Sequence, residues 1–548
     1  MSKKLPIIFL FLTCNFWAQT EESFNLGFES NSQYYVDDQV TGDFTASDRF
    51  RSNSYLKAEY LVQNFTFGIQ VEGYAPQALL NYSPQYDDPI NIGLYYAQFK
   101  NEKLDITLGH FYEQFGNGLA LRSWEDRQLG INNAIRGIKL KYKPTENISL
   151  TGLFGNQRVG FKVSEGELFG LDTQFDIPQM FKSDNTSGSI GFSYVGRYQD
   201  NESDNPDFEK LTSVFSGRFQ LNVHQFSTGL EGVVKLDDAY VENGTLYPDK
   251  LFKGNALQFN LGYAQKGLGI NATMRRLENM NFYSEREALG NTYNELIVNY
   301  IPALTKQHDY SLANMYVYQS QPGLSFNPLD KAGEIGGQID VFFNLKKDTP
   351  LGGKYGTKIS ANFASWYGLK ADFISEYQRV DVGFLEAGEH YFSDMSLEIR
   401  KKWSPKVSGI LTLIHGNYNK KYVEETYGFV KSNIAIAETT IQTSEKSSLR
   451  IEAQHLWTRD DKKNWAAATM EFNANTHLSF FATDLYNYGN EDQTHQDHYY
   501  LLGGSYSKDR TRIALSYGRQ RGGILCVGGV CREVPPASGL TLNITTSF

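Results

Sequence analysis

The chain closes on Gly539-Leu-Thr-Leu-Asn-Ile-Thr-Thr-Ser-Phe548, and no other stretch narrows its possible folds as far. Successive strand side chains point to opposite faces. An extended backbone therefore sets Leu540, Leu542, Ile544, Thr546 and Phe548 on one side, against Thr541, Asn543, Thr545 and Ser547 on the other. One side is oily and the other hydroxylic, so the strand separates two environments.

The same period of two recurs along the chain. Phe215, Phe219, Leu221 and Val223 oppose Ser216, Arg218, Gln220 and Asn222; Leu257, Phe259, Leu261 and Tyr263 oppose Gln258, Asn260, Gly262 and Ala264. Met395, Leu397, Ile399 and Trp403 oppose Ser396, Glu398, Arg400 and Lys402. Segments 65–73, 90–98, 335–345, 449–457 and 511–518 follow the rule, and 407–415 and 499–507 follow it with blurring. Short turns such as Gln63-Asn64, Asn101-Glu-Lys103, Lys266-Gly267 and Ser404-Pro405 alternate with long polar stretches at 36–48, 75–89, 199–211, 236–253, 279–331, 370–390, 420–430 and 488–498. Short connections at one end and long ones at the other mark transmembrane barrels. The pattern predicts an all-β fold, a transmembrane antiparallel up-and-down β-barrel of about 24 strands, in the range of roughly 20 to 26. Phe24, Leu26 and Phe28 already alternate with Asn25, Gly27 and Glu29, which leaves no room for a plug domain before the barrel.

The ending resembles the closing strand of bacterial outer-membrane β-barrels, which typically finish on Phe. That resemblance implies that Phe548 is the insertion signal read by the barrel assembly machinery. The beginning gives the same address. Lys3 and Lys4 precede the apolar run Leu5–Leu12 and end in Ala18-Gln19, a secretory leader too short to span a bilayer. The expected division is a signal peptide over 1–18 and one barrel domain over 19–548, placed in the cell outer membrane. Cys14 in the leader also admits a lipoprotein site, although Thr13 before it suits that processing poorly.

Composition fits a barrel better than a helical membrane protein. Beyond the leader no apolar run approaches the ~20 residues that a membrane helix needs, while 35 Tyr, 37 Phe and 49 Gly supply aromatic girdles and turns. A net charge of -10 excludes nucleic acid as a partner, since phosphate binding needs clustered Lys and Arg. Outer-membrane lipid, the assembly machinery and other outer-membrane proteins are the expected partners. Outside the leader only Cys526 and Cys531 remain, around Gly528-Gly529. A two-residue hairpin turn there brings the two cysteines opposite one another and makes a disulfide feasible in an oxidising compartment. A metal or redox role for the pair lacks further ligands nearby.

A charge on the lipid face near the bilayer midplane costs roughly 2 to 4 kcal/mol. Arg218, Asp340, Glu398, Arg400, Arg450, Glu452 and Arg512 are therefore expected to face inward. Glu398 beside Arg400 and Arg450 beside Glu452 suit either a solvated wall or a constriction that selects solutes. The alternation fails in Gly109–Gly137, where Gly116, Gly118 and Gly130 mix with Glu113, Arg122, Glu125, Asp126, Arg127 and Arg136, followed by Lys139 and Lys141 on the next strand. This reads as a loop folded into the barrel, either narrowing a channel or bracing its wall. In 279–331 the run Leu296-Ile-Val-Asn-Tyr-Ile-Pro-Ala-Leu304 is too apolar to stand in water and must pack on something.

The stretch Gly109–Gly137, together with Arg519–Pro535 running into Phe548, resembles an uncharacterised family of large outer-membrane β-barrel proteins of Bacteroidota. The resemblance implies fold and location and adds no functional residues. Glu491, Asp492, His495, Asp497 and His498, and the acidic segment 200–209, lack the spacing of a calcium loop and read as solvated charge. No Gly-x-Ser-x-Gly elbow, phosphate loop or His-Glu-x-x-His motif occurs, so neither an enzyme nor a bound cofactor or metal is expected. Two functions remain: a porin-like or transport barrel for a small polar solute, or a structural or assembly barrel whose loops 279–331 and 370–390 occlude the lumen.

Overall fold

A computed structural model describes residues 22–178, 185–242, 244–288, 291, 294–320, 331–375, 378–527 and 530–548; within these, the side chains of 242, 372–375, 378–381, 524–527 and 530–533 are outside the description. The leader expected over 1–18 lies outside the described residues. Twenty-four strands form a single antiparallel sheet, and the first strand, Glu22–Tyr35, pairs with the last, Ala537–Ser547. Ser30 stands opposite Ile544 and Tyr34 opposite Leu540, and the Phe548 amide donates to the Leu26 carbonyl at 2.8 Å. The residues that suggested a membrane strand thus form the closing seam. Closure pairs every edge, which a backbone in lipid requires.

Alternation becomes two lateral rows across neighbouring strands. Phe219, Leu230, Phe259 and Met274 are cross-strand neighbours in that order, and all four are exposed on the outer surface. One residue along, Arg218, Glu231, Gln258 and Arg275 form the matching row inside. Apolar area left in water costs about 25 cal/mol per Å², so an outer surface of this kind suits an apolar surrounding. No helix among the described residues is long and apolar enough to cross a membrane.

Two stretches expected as long loops are strands. Residues 236–253 continue the hairpin of Phe226–Glu242 with Thr245–Gln265, and 370–390 continue that of Thr357–Ser375 with Gln378–Ser404. Polar composition marks a segment clear of lipid, yet such a segment still satisfies its backbone by pairing. Register shifts between Lys235 and Asp238, and between Trp366 and Tyr367, mark where these hairpins depart from regular barrel pairing.

The long-loop end turns inward. Residues 112–134 and the described part of 279–332, here termed the strap, bury Phe115, Leu119, Leu121, Met280, Phe282, Val298 and Ile301 against an inner-wall band of Leu153, Leu168, Val195, Val214, Val233, Ala256 and Leu277. The strap then reaches different strands: Tyr318 packs with Trp366, Phe392 and Tyr418, and Tyr310 and Leu312 with Ile414, Ile434, Ile436, Leu456 and Trp465. Loop 74–89 brings Tyr74, Ala78 and Tyr86 onto Tyr55. The expectation is that 279–331 and 370–390 occlude the lumen. The described residues of 279–320 pack on the inner wall with 112–134 and 74–89, whereas the 370–390 hairpin leaves Phe384 57% and Leu385 68% exposed.

Candidate functional site

The inward loop and the strap are tied to one another by backbone-directed bonds. Asn133 Nδ2 and Gln157 Nε2 both donate to the Ile297 carbonyl, at 3.2 and 2.9 Å, and the Arg122 amide donates to Val298 at 2.8 Å. Asn299 Nδ2 donates to Leu119 at 3.2 Å and to Met280 at 2.8 Å. Gly116, at φ +53, lies so close to the wall that a Cβ there would stand 2.6 Å from the Glu231 carboxylate. That carboxylate accepts from the Asn117 amide at 2.7 Å and from Asn117 Nδ2 at 2.8 Å. A side chain would break this contact.

The charges of the inward loop are held in pairs. Arg127 bonds Glu29, Glu125 and Gln70 and lies 4.1 Å over the Tyr55 ring, while Lys139 stands 3.3 Å from Glu113. Asp126 accepts from the Leu129 amide at 2.9 Å and closes a turn. Arg122 lies over Trp124 and Tyr300 at 5.7 and 5.8 Å, and burial lowers its pKa. Lys141 stands opposite Asp105 on the inner side of its strand. The pairing favours a brace over a constriction. Arg136 is a correction to the inward set: it has the parity of Ile138 and Leu140, which are exposed on the outer face, and the strand's alternation fixes that side.

Glu398, Arg400, Arg450 and Glu452 come together. They line a cavity of about 710 Å³ with Lys306, His308 and Asp309 of the strap and with Lys358 and Glu438 of the wall. Arg400 clasps Glu398 with bonds of 2.5 and 3.1 Å. Arg450 reaches Glu438 at 2.9 Å, Glu452 at 2.6 Å and Glu471 at 2.9 Å. The strap roofs this vestibule, and burial followed by the nearby Lys306 lowers the His308 imidazole to about 4. A second cavity of about 550 Å³, lined by Glu29, Asn31, Arg127 and Arg512, runs beside the closing seam.

Two residues with large roles here were missed by sequence reading. Arg158 and Glu72, each 1% exposed, form a two-bond ion pair at 2.9 and 2.5 Å beneath loop 74–89. Eighty-six positions separate them in the chain, and no local pattern signals the pair. Cys526 stands opposite Cys531 in a small two-stranded ribbon, while their side chains and Gly528-Gly529 lie outside the described residues. The surface candidates do not gather. Glu491 pairs with Lys463, Asp492 bonds Thr494, and His498 faces Asp484. Among the described residues no group of three or more His, Cys, Asp or Glu is placed to hold a metal ion.

A closed barrel with loops braced across its interior and a charged vestibule beneath them defines the class. The chain matches a family of unknown function, DUF6029, over residues 1–548 and belongs to that family. No curated protein matches it. Among solved structures it is similar to the copper transporter OprC (9% identity, TM-score 0.39, covering 96% of this chain and 80% of that one). It is also similar to the siderophore receptor PirA from Pseudomonas aeruginosa (10%, TM-score 0.43, 96% and 80%) and to the P pilus usher PapC translocation pore (8%, TM-score 0.40, 96% and 99%).

Proposed function

We propose that this protein is an outer-membrane barrel that passes a small polar solute and is held shut at rest by its strap and inward loop. The observation that carries this reading is the strap itself. It is anchored by apolar contacts at separate parts of the wall, with a charged cavity of about 710 Å³ left beneath it. A barrel of this strand number is wide enough to need such a filling, as other very large barrels do. On this reading the short turns face the periplasm, the long loops face outward, and the outer row around Phe219 and Met274 meets lipid. Phe548 at the seam serves the assembly machinery, and Cys526 and Cys531 form a disulfide outside the cell. A Bacteroidota origin agrees with the resemblance of the sequence. No bond-making chemistry is assigned.

The second reading, an assembly barrel that never opens, is favoured by the exposed Phe384 and Leu385 on the hairpin beyond the rim, which suit a protein partner. Planar-bilayer conductance separates the two. The wild type is expected to be silent or to flicker, and the Tyr318→Ala/Leu312→Ala variant, losing about 2 to 5 kcal/mol at each anchor, to give large stable currents. A folded double variant that stays silent, with a protein co-purifying on the Phe384 hairpin, would favour the assembly role.

A further inference from the structure

Directly beyond the vestibule, on the same strands, lies a second group of side chains. Asn362 stands opposite Asp340 on one side and Ser396 on the other, and Ala364 stands opposite Gln338 and Asp394. Ala364 contributes only a methyl between the last two. Asn362 Nδ2 donates to Asp340 Oδ1 at 3.0 Å and to the Ile339 carbonyl at 3.3 Å, and Gln338 Nε2 donates to Asp340 Oδ2 at 3.3 Å. The amide oxygens of Asn362 and Gln338 and Oδ1 of Asp394 are buried with no hydrogen-bond partner. Asn362 is 4% exposed and Asp394 6%. Because the Asn362 nitrogen is engaged on the Asp340 strand, its oxygen is left on the edge of the amide facing the Asp394 strand.

Among the described residues neither carboxylate has a basic group within ion-pair distance. For the buried Asp394 that is costly, since an uncompensated buried charge is among the least favourable groups a protein can hold. Elsewhere on this wall the carboxylates are answered by arginines, as Asp172 is by Arg218 at 2.7 Å and Glu334 by Arg275 at 2.9 Å. Here three unpartnered oxygens, of Asn362, Gln338 and Asp394, sit at neighbouring positions of the inner face beside Asp340 instead. Carboxylate and amide oxygens in a flexible set are the ligands of a hard divalent cation of calcium size, with water completing its shell. The geometry points to a calcium-binding site formed by Asp340, Asp394, Asn362 and Gln338 beside the vestibule.

Access and enclosure both fit. Phe342, Ser360 and Glu398, which line the vestibule, lie further along the same three strands, so the vestibule adjoins the site. The Trp366 indole donates to the Leu304 carbonyl at 3.2 Å and brings the strap over the neighbouring wall. Bound calcium would tie three adjacent wall strands together beside the strap. This holds whether the barrel transports or assembles.

The test uses the full barrel, purified in detergent, stripped with EDTA and free of lipopolysaccharide. Calcium chloride is expected to raise its Tm and to bind saturably with one ion per barrel in calorimetry, and Asp340→Asn/Asp394→Asn is expected to lose both responses. Glu398→Gln, in the vestibule, keeps them. Should the double variant not fold, Asn362→Ala retains both carboxylates and is expected to bind calcium more weakly. The proposal is overturned if millimolar calcium gives no saturable heat, if the folded double variant binds as the wild type does, or if mild acid alone stabilises the wild type with no calcium response, which would mean a shared proton in place of a cation.

Discussion

The two ends of the barrel interior are built by opposite rules. Toward the long loops, apolar side chains from three loops interlock with an apolar inner wall, and buried polar groups between them are held in close contacts such as Arg158–Glu72 and Asn117–Glu231. Beneath the strap, charges of both signs line open space and are matched loosely, with Arg450 shared among three carboxylates. The strands that carry Ile414, Ile434 and Leu456 against the strap also carry Ile410, Glu438 and Glu452 into the vestibule, so on these strands only the inner-face side chains change. Buried polar groups must be paired to be tolerated, whereas solvated ones are free to serve a passing solute. One end is made to hold and the other to receive.

The sharpest way to break that contrast is to unmatch a pair in the filled end. Glu72→Gln leaves the Arg158 guanidinium buried without its counter-charge, and Arg158 Nε also holds the Gly160 carbonyl at 2.7 Å. Breaking such a pair by removing one partner costs about 3 to 5 kcal/mol. Thermal unfolding in detergent is expected to show a loss of that order, with loop 74–89 becoming open to proteolysis first. A loss below about 1 kcal/mol, the ceiling for an exposed pair, would mean that water already reaches this end and that the contrast is false.

The boundary between the two ends is testable through His308, on the strap where it roofs the vestibule. Its Nε2 is buried and without a partner, and its pKa of about 4 lies below the ordinary value, which is about 6.5. The released strap therefore takes up a proton more readily than the docked one. Docking is fully stabilised above about pH 6.5 and loses that stability as the pH falls toward 4. Discounted for partial exposure, the loss is on the order of 1 to 2 kcal/mol. Opening events in bilayer recordings are expected to become more frequent across that interval, and His308→Gln to remove the pH dependence. A wild type indifferent to pH over the interval would place His308 in water.

The barrel itself was legible because a strand turns successive side chains to opposite faces, and the lateral rows through Phe219 and Arg218 repeat that period of two. The interior was legible only where composition was out of place. Leu296–Leu304 was too apolar for a free loop and does lie buried, whereas 75–89, with Tyr82 and Tyr86, passed as an ordinary polar loop. Arg136 was assigned inward on its charge although its own strand's alternation pointed outward, and near the long-loop end a charge can leave the membrane. Asp394 lay one residue before the segment that was read as a strand. Its relation to Asp340 exists only across a third strand, which a linear sequence does not display.

The smallest effect on stability is expected in the vestibule, and there it is most informative. The Arg450 side chain is 27% exposed, so Arg450→Gln is expected to change unfolding by less than about 1 kcal/mol, as for other solvated ion pairs. It also leaves Glu438, Glu452 and Glu471 without the cation they share. Three carboxylates around one space then set a negative field, which raises the local concentration of cations and lowers that of anions. In the Tyr318→Ala/Leu312→Ala background, where current can be read, the reversal potential in a potassium chloride gradient is expected to move toward that of potassium. A stable barrel whose selectivity does not change would put the permeating path elsewhere, along the seam-side cavity of Glu29 and Arg512, and would make the quartet around Arg450 part of the wall.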